Sequence, residues 1–209
     1  MRGNSHVRFL EGKAPVRGLT YSTKPLLHSH CNNAIENYDF VPLKVDTNIK
    51  PFKCTDNDLN GFLFDDSQKY LADLMAVTYL LEDLSCGKTV AYFSLLNDKI
   101  TFDPDQRSIW NRLSRRVANA KRRKHYPAVK IGRLAISEEY AGQGLGRDII
   151  RLIKFMFTHG NRTGCRFITV DAYHDAVGFY LKCGFDFISE KDQNEMTRSM
   201  YYDLKRFLG

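Results

Sequence analysis

Long hydrophobic runs are missing from this sequence. None reaches the roughly 18 apolar residues that a membrane-spanning helix requires. The opening stretch MRGNSHVRFLEGKAPVRGL is basic but lacks an apolar centre, so it does not read as a secretory signal. Cysteine is sparse: Cys31, Cys54, Cys86, Cys165 and Cys183 include no Cys-x-x-Cys pair. That excludes a recognisable disulfide framework or zinc knuckle and favours reduced thiols in a cytoplasmic protein. His125, His159 and His174 share no metal-ligand spacing, so no metal is assigned. There is no internal repeat and no low-complexity tract. Acidic residues are absent from 107–133, a stretch with ten Lys or Arg; the rest of the chain carries a net −3.

What is present is a chain of 209 residues with 43% hydrophobic content, enough for one generous core. The formal charge of +7 favours an anionic partner such as a nucleotide, tRNA or membrane surface, without choosing among them. Residues 1–38 read as a polar arm and 39–209 as one domain. DFVPLKV (39–45) reads as a strand. Thr55 followed by Asp58 suggests a capping box at the start of a helix with Leu59, Phe62 and Leu63 on its apolar stripe. A second helix is expected over 67–75. VTYLLED and TVAYFSLL read as a hairpin. A helix over about 105–121 places Ile109, Leu113, Val117 and Ala120 on one side and Arg112, Arg115, Arg116 and Arg123 on the other. After it come a strand (AVKIGRLAIS), a helix, a strand (RFITVDAY), a helix (AVGFYLKC) and two further strands, FDFIS and SMYYDL. This order predicts an α/β fold with a mixed, twisted central sheet and helices on both faces.

SEEYAGQGLGRDII (137–150) sets three alternating glycines immediately before an apolar helical pattern. Exposed backbone N–H groups at a helix N-terminus suit phosphate. A nucleotide P-loop starting at Gly142 would need Gly, Lys and then Ser or Thr where the chain has Arg147, Asp148 and Ile149. The dinucleotide fingerprint fails at its third glycine, which falls on Arg147 or Ile149 according to register.

The segment KIGRLAISEEYAGQGLGRDIIRLI (130–153) resembles the central motif of the GNAT acetyltransferase superfamily. That motif is a strand, a Q/R-x-x-G-x-G/A loop and a helix. Gly144 and Gly146 match its glycines, and Ala141 stands where the family usually has Gln or Arg. DAVGFYLKCGFDFI (175–188) resembles the family's later helix and strand, with Ala176, Tyr180, Gly184 and Phe185 in register and Tyr173 where Asn is frequent. FKCTDNDLNGFL, TYLLED…VAYFSLL and RRKHYPAVKIGRLAIS further resemble the branch containing the acetyltransferase toxins of toxin–antitoxin pairs.

The resemblance implies a sheet with a splayed cofactor cleft and acetyl-CoA as donor. It places the backbone of Leu134, Ala135 and Ile136 along the donor's arm. The diphosphate falls to Ala141, Gly142, Gln143, Gly144, Leu145, Gly146 and Arg147, with Tyr173 and Ala176 bordering the site. Tyr180 would serve the departing thiolate. A phenol near 10 gives its proton to a thiol near 8.5 uphill by about 2 kcal/mol, so a hydrogen bond is the better role. Cys183 and His174 lie close in sequence but read as a structural thiol and a loop histidine. The GRLAIS strand has no carboxylate to act as base, and Glu138 and Glu139 read as solvated. An α-amine near pKa 7.7–8.0 needs less help than a lysine near 10.4, so a small or aminoacyl acceptor is favoured. Members of the toxin branch acetylate aminoacyl-tRNA. The cluster Arg112, Arg115, Arg116, Arg122, Arg123 and Lys124 is the candidate contact for the acceptor or RNA. The resemblance also raises an antitoxin protein and a homodimer as partners, with no membrane role. A module that holds CoA or RNA without chemistry stays open beside the transferase.

Overall fold

In the computed structural model the described residues are 38–115, 117, 124–159 and 163–208. The expected arm therefore lies outside them except for Tyr38, as do Arg116, Ala120, Arg122 and Arg123.

Among the described residues, seven strands form one mixed sheet in the order β1-β2-β3-β4-β5-β7-β6. They are β1 (Asp39–Pro42), β2 (Val77–Asp83), β3 (Lys88–Thr101), β4 (His125–Ile136), β5 (Phe167–Tyr173), β6 (Asp186–Phe187) and β7 (Thr197–Asp203). Only β4 and β5 run parallel; the other neighbours are antiparallel. The helices are α1 (Asn57–Gly61), α2 (Ser67–Ala72), α3 (Arg107–Ser114), α4 (Leu145–Thr158) and α5 (His174–Lys182).

The two-residue alternation of the strands sorts their side chains. One face carries Phe93, Leu95, Val129, Ile131, Ile168, Val170 and Met200. It packs with Ile149, Leu152 and Ile153 of α4 and with Tyr180 and Cys183 at the end of α5. The other face has two separate apolar clusters. Leu43, Phe62, Leu63, Tyr92 and Ala135 form one beside α1. Ile100, Ile109, Leu113, Tyr126, Phe167 and Tyr201 form the other beneath α3. Helices thus cover both faces, as the sequence pattern implies.

Local details depart from expectation. The cap of α1 is Asp56, not Thr55: its side chain accepts the N–H of Asp58 at 2.8 Å and of Leu59 at 3.3 Å. A carboxylate in that place satisfies two of the helix's free N–H groups at once. Residues Phe62–Asp66 form a π-helical turn, and α2 ends at Ala72, short of the expected 75. The third helix begins at Arg107, after a 3-10 turn over Pro104–Gln106, because Pro104 and the Asp103 cap set the turn first. Strand β6 contains two residues rather than the five of FDFIS, and β7 inserts between it and β5. His174 opens α5 rather than lying in a loop, and its Nε2 lies 2.6 Å from the carbonyl oxygen of Glu195.

Candidate active site

The seam between β4 and β5 is only half closed. Pairing runs from Ala128 with Phe167 to Ile131 with Val170 and then stops. Both strands continue, β4 to Ile136 and β5 to Tyr173. Residues 132–136 and 171–173 thus face one another across a gap. A bulge opens β4 at this point: Leu95 pairs with Ile131 but Ser94 pairs with Arg133, so Gly132 is the extra residue. Bulges bend the strand that carries them.

The backbone groups entering the gap follow from register. Ser137 N–H bonds the carbonyl of Val90 at 2.9 Å, on the β3 side. In an antiparallel pair the hydrogen-bonded side alternates, so Ala135 also turns its N–H and C=O toward β3. Leu134 and Ile136 therefore present theirs to the gap. Of the three residues expected along the donor's arm, Ala135 contributes its side chain to the α1 cluster and its backbone to the β3 ladder.

The glycine loop stands at the open end. Gly142 and Gly144 have φ of +77° and +86°, a region that side chains resist, and Gly144 is the N-cap of α4. Among the described residues, the N–H groups of 142–146 have no backbone acceptor and no side-chain cap. Arg147 N–H does not join them, because it bonds the Gly144 carbonyl at 3.0 Å; Ala141 N–H is likewise turned to Glu138 at 3.4 Å. Gly146 packs the helix closely: a Cβ there would meet Ile136 at 3.1 Å and Phe179 at 3.2 Å. The N-terminus of α4 is in this way pressed against the gap. Free N–H groups and a helix dipole converge on one point, which suits a diphosphate. The missing side chain at Ala141 leaves that backbone cradle intact.

Neighbouring ion pairs hold the approach. Glu139 meets Lys88 at 2.8 Å and Glu138 meets Lys53 at 3.5 Å, so both acids are exposed and paired on the surface. The Tyr140 hydroxyl donates to Asp83 at 3.2 Å, tying the loop's base to the β2–β3 turn.

Tyr180 lies on the inward face of α5 and is 6% exposed, against Phe179 and Phe185. Burial raises its pKa, with the nearby Cys183 thiol adding to the shift. Its hydroxyl has no hydrogen-bond partner among the described residues, yet it is not a fully enclosed orphan. A phenol held protonated in this way can donate but not ionise. Cys183 is buried and its thiol is pushed up by burial, which opposes a nucleophilic role. Ala176, on the same helix, packs against the core, while Tyr173 is 48% exposed at the end of β5.

Of the basic cluster, Arg112, Arg115 and Lys124 are described, and all three are exposed. Arg112 is already engaged: it donates to the Phe187 carbonyl at 3.1 Å and lies 5.9 Å from the centre of the Tyr201 ring. Sequence reasoning passed over Lys154, which is 6% exposed on α4. Its Nζ donates to the Cys183 carbonyl at 2.7 Å and sits 3.6 Å from the Tyr202 ring centre. Its signal was a charge on an otherwise apolar helix face. No group of three His, Cys, Asp or Glu side chains among the described residues is placed to hold a metal. No described helix is long and apolar enough to cross a membrane.

The model of the acetyltransferase (GNAT) domain family matches residues 114–205, the span holding the gap, the loop and Tyr180. No curated protein sequence matches the chain. Solved structures do. AtaT complexed with acetyl-methionyl-tRNAfMet is 20% identical, with TM-score 0.66 over 82% of this chain and 97% of that one. A bacterial toxin is 15% identical, with TM-score 0.64 over 82% and 93%. A KacT tyrosine-to-phenylalanine variant is 19% identical, with TM-score 0.59 over 81% and 97%. At such identities the likeness establishes a shared fold. The family match over the site and the shared fold over most of the chain agree: residues 114–205 are similar to the acetyltransferase (GNAT) domain family, within a chain that shares the fold of these solved structures.

Proposed function

We propose that the protein transfers acetyl from acetyl-CoA directly to a primary amine, the α-amine of aminoacyl-tRNA, as the toxin of a toxin–antitoxin pair acting in the cytoplasm. The observation that carries this reading is the half-open β4–β5 seam ending at a cradle of unpartnered N–H groups. Acetyl-CoA supplies the activated acyl group as a thioester. Its diphosphate fits the N–H groups of 142–146, and its extended arm fits the free edge of β4 at Leu134 and Ile136.

In the transfer the amine nitrogen attacks the acetyl carbonyl, the new C–N bond forms, and the C–S bond breaks. A main-chain N–H facing the gap stabilises the oxyanion that develops between those steps. Tyr180 donates a hydrogen bond to the leaving sulfur. The nitrogen's surplus proton ends in solvent, and the thiolate takes one up. No covalent enzyme intermediate is required, which agrees with a buried, protonated Cys183.

The acceptor reading draws on two supports. The lack of a carboxylate on β4 suits an α-amine that is already partly neutral near pH 7. The structural relatives also include AtaT bound to acetyl-methionyl-tRNAfMet, and AtaT with acetyl-CoA and the C-terminus of its antitoxin AtaR. An antitoxin and an RNA partner are therefore proposed here too, with Arg115 and Lys124 as exposed cations toward RNA. The test is thiol release from acetyl-CoA on adding charged tRNA, with mass spectrometry of the aminoacyl group. Release with acetylated aminoacyl-tRNA as product supports the reading. Tight acetyl-CoA binding without release with any amine, charged tRNA included, would leave a binding module instead.

A further inference from the structure

The sheet face away from α4 and α5 is not fully covered. Its two apolar clusters, beside α1 and beneath α3, share no residue. Between them runs a band of polar side chains, and the strand alternation fixes its members: Asp98 on β3, Lys130 and Arg133 on β4, Thr169 and Asp171 on β5, and Ser199 on β7. All but Arg133 are linked in two groups, which between them touch four strands. Thr169 hydrogen-bonds Asp98, Lys130 pairs with Asp171, and the Ser199 hydroxyl lies 3.3 Å from Asp171. So ordered a polar network on a central sheet needs a reason, because apolar residues would pack α1 and α3 together more simply.

Its position supplies one. Val170 is the last β5 residue paired to β4, and Asp171 is the next. Asp171 is thus the first side chain beyond the closed seam, on the face opposite the glycine loop's helix. A donor bound along the gap from the α4 side leaves this face as the other way to the reacting carbon. The Asp171 carboxylate has spare capacity: one oxygen meets Lys130, and the other has only the long contact to Ser199. Its side chain is 43% exposed. Arg133, one residue past the bulge, stands on the same face, and its Nε is enclosed without a partner among the described residues.

We propose that Asp171 receives the acceptor's ammonium group at the point where the β4–β5 seam opens, supplying from β5 the carboxylate that β4 lacks. Lys130 and Ser199 are its positioning residues. This inference rests on the transferase reading and identifies the face from which the amine enters. Asp171 binds and orients the nitrogen; the ammonium first loses one proton to solvent along the exposed band, the neutral amine attacks, and a second proton leaves the nitrogen as the amide forms while the departing thiolate takes one up.

The test compares wild type with Asp171→Asn, which keeps shape and removes charge. Charged tRNA is the varied substrate, acetyl-CoA binding is measured separately, and a tRNA whose amino acid is already N-acetylated is the inhibitor. The expected result for Asp171→Asn is a rise in KM for charged tRNA of about 10- to 100-fold, the range of one hydrogen bond to a charged group. The acetyl-CoA dissociation constant should move less than about twofold, a small fraction of that range. The N-acetylated inhibitor has no ammonium, so its inhibition constant should also hold within about twofold on the same reasoning. Asp171→Glu should recover part of the loss. An unchanged KM for charged tRNA with acetyl-CoA binding intact overturns the proposal, as does equal weakening of the N-acetylated inhibitor. Wild-type protein that releases no thiol fails the transferase reading itself, a separate outcome visible before any variant is made.

Discussion

Two halves of one seam behave differently. From Ala128 to Ile131, β4 is zipped to β5; from 132 to 136 it is not. In the closed half, Val129, Ile131, Ile168 and Val170 are at most 5% exposed and lie under α4. In the open half, Leu134 and Ile136 are only partly buried, and β4 keeps its hydrogen bonds to β3 alone. The closed half stabilises the protein by packing. The open half leaves main-chain donors and acceptors unpaired, a cost that a folded protein bears where something binds. The bulge at Gly132 separates the two.

The largest expected effect lies on the open side. Tyr180→Phe should lower kcat by about 10²- to 10³-fold, the range for removing one hydrogen-bond donor to developing negative charge, while acetyl-CoA affinity stays nearly constant. Steady-state kinetics beside direct binding measures both, and equal turnover would remove Tyr180 from the chemistry. Next come paired truncations across the seam. Ile168→Ala, in the closed half and 0% exposed, should cost about 2–4 kcal/mol in denaturant unfolding. Leu134→Ala, in the open half, should cost less than about 1.5 kcal/mol, because less of its side chain is buried. Equal losses would mean that the halves are not energetically distinct.

A smaller effect concerns Lys154, which links α4 to the end of α5. Burial pushes its pKa down from 10.5 to about 8. Below pH 8 the folded and unfolded chains both hold its proton. Between pH 8 and 10.5 the unfolded chain holds more, so stability rises with pH across that window. The gain is about 3 kcal/mol. It should appear as a pH-dependent difference between wild type and Lys154→Met in denaturant melts, and a flat difference from pH 7.5 to 10.5, roughly the stated window, would refute it. The smallest effect is expected at the surface. Arg115→Ala should reduce the salt dependence of tRNA binding by about one counterion and weaken affinity modestly. An unaltered salt slope would take Arg115 out of the RNA contact.

Much of this site was legible because it is local. Gly142 and Gly144 mark positive φ within a few residues, and the apolar spacing of α4 places that helix directly after them. Tyr180 was a candidate from A-x-x-x-Y followed by Gly-Phe, and the fold buries it at the end of α5. Other features were hidden. Asp56 displaced Thr55 as the cap of α1 by a geometric competition between adjacent side chains. Assignment of the gap-facing backbone to Leu134 and Ile136, without Ala135, depended on register with β3. The surroundings of Lys154 come from Cys183, Tyr202 and Phe185, 29 or more residues further along the chain.

Sequence by itself determined the order of strands and helices, the glycine turn and the family motif, because each depends on residues a few positions apart. Tertiary structure alone decided where β4 leaves β5, that β7 enters between β5 and β6, and that Lys130, Asp171 and Ser199 share one network. Those contacts join residues far apart in the chain, and their partners are selected by packing and strand register, which no local pattern encodes.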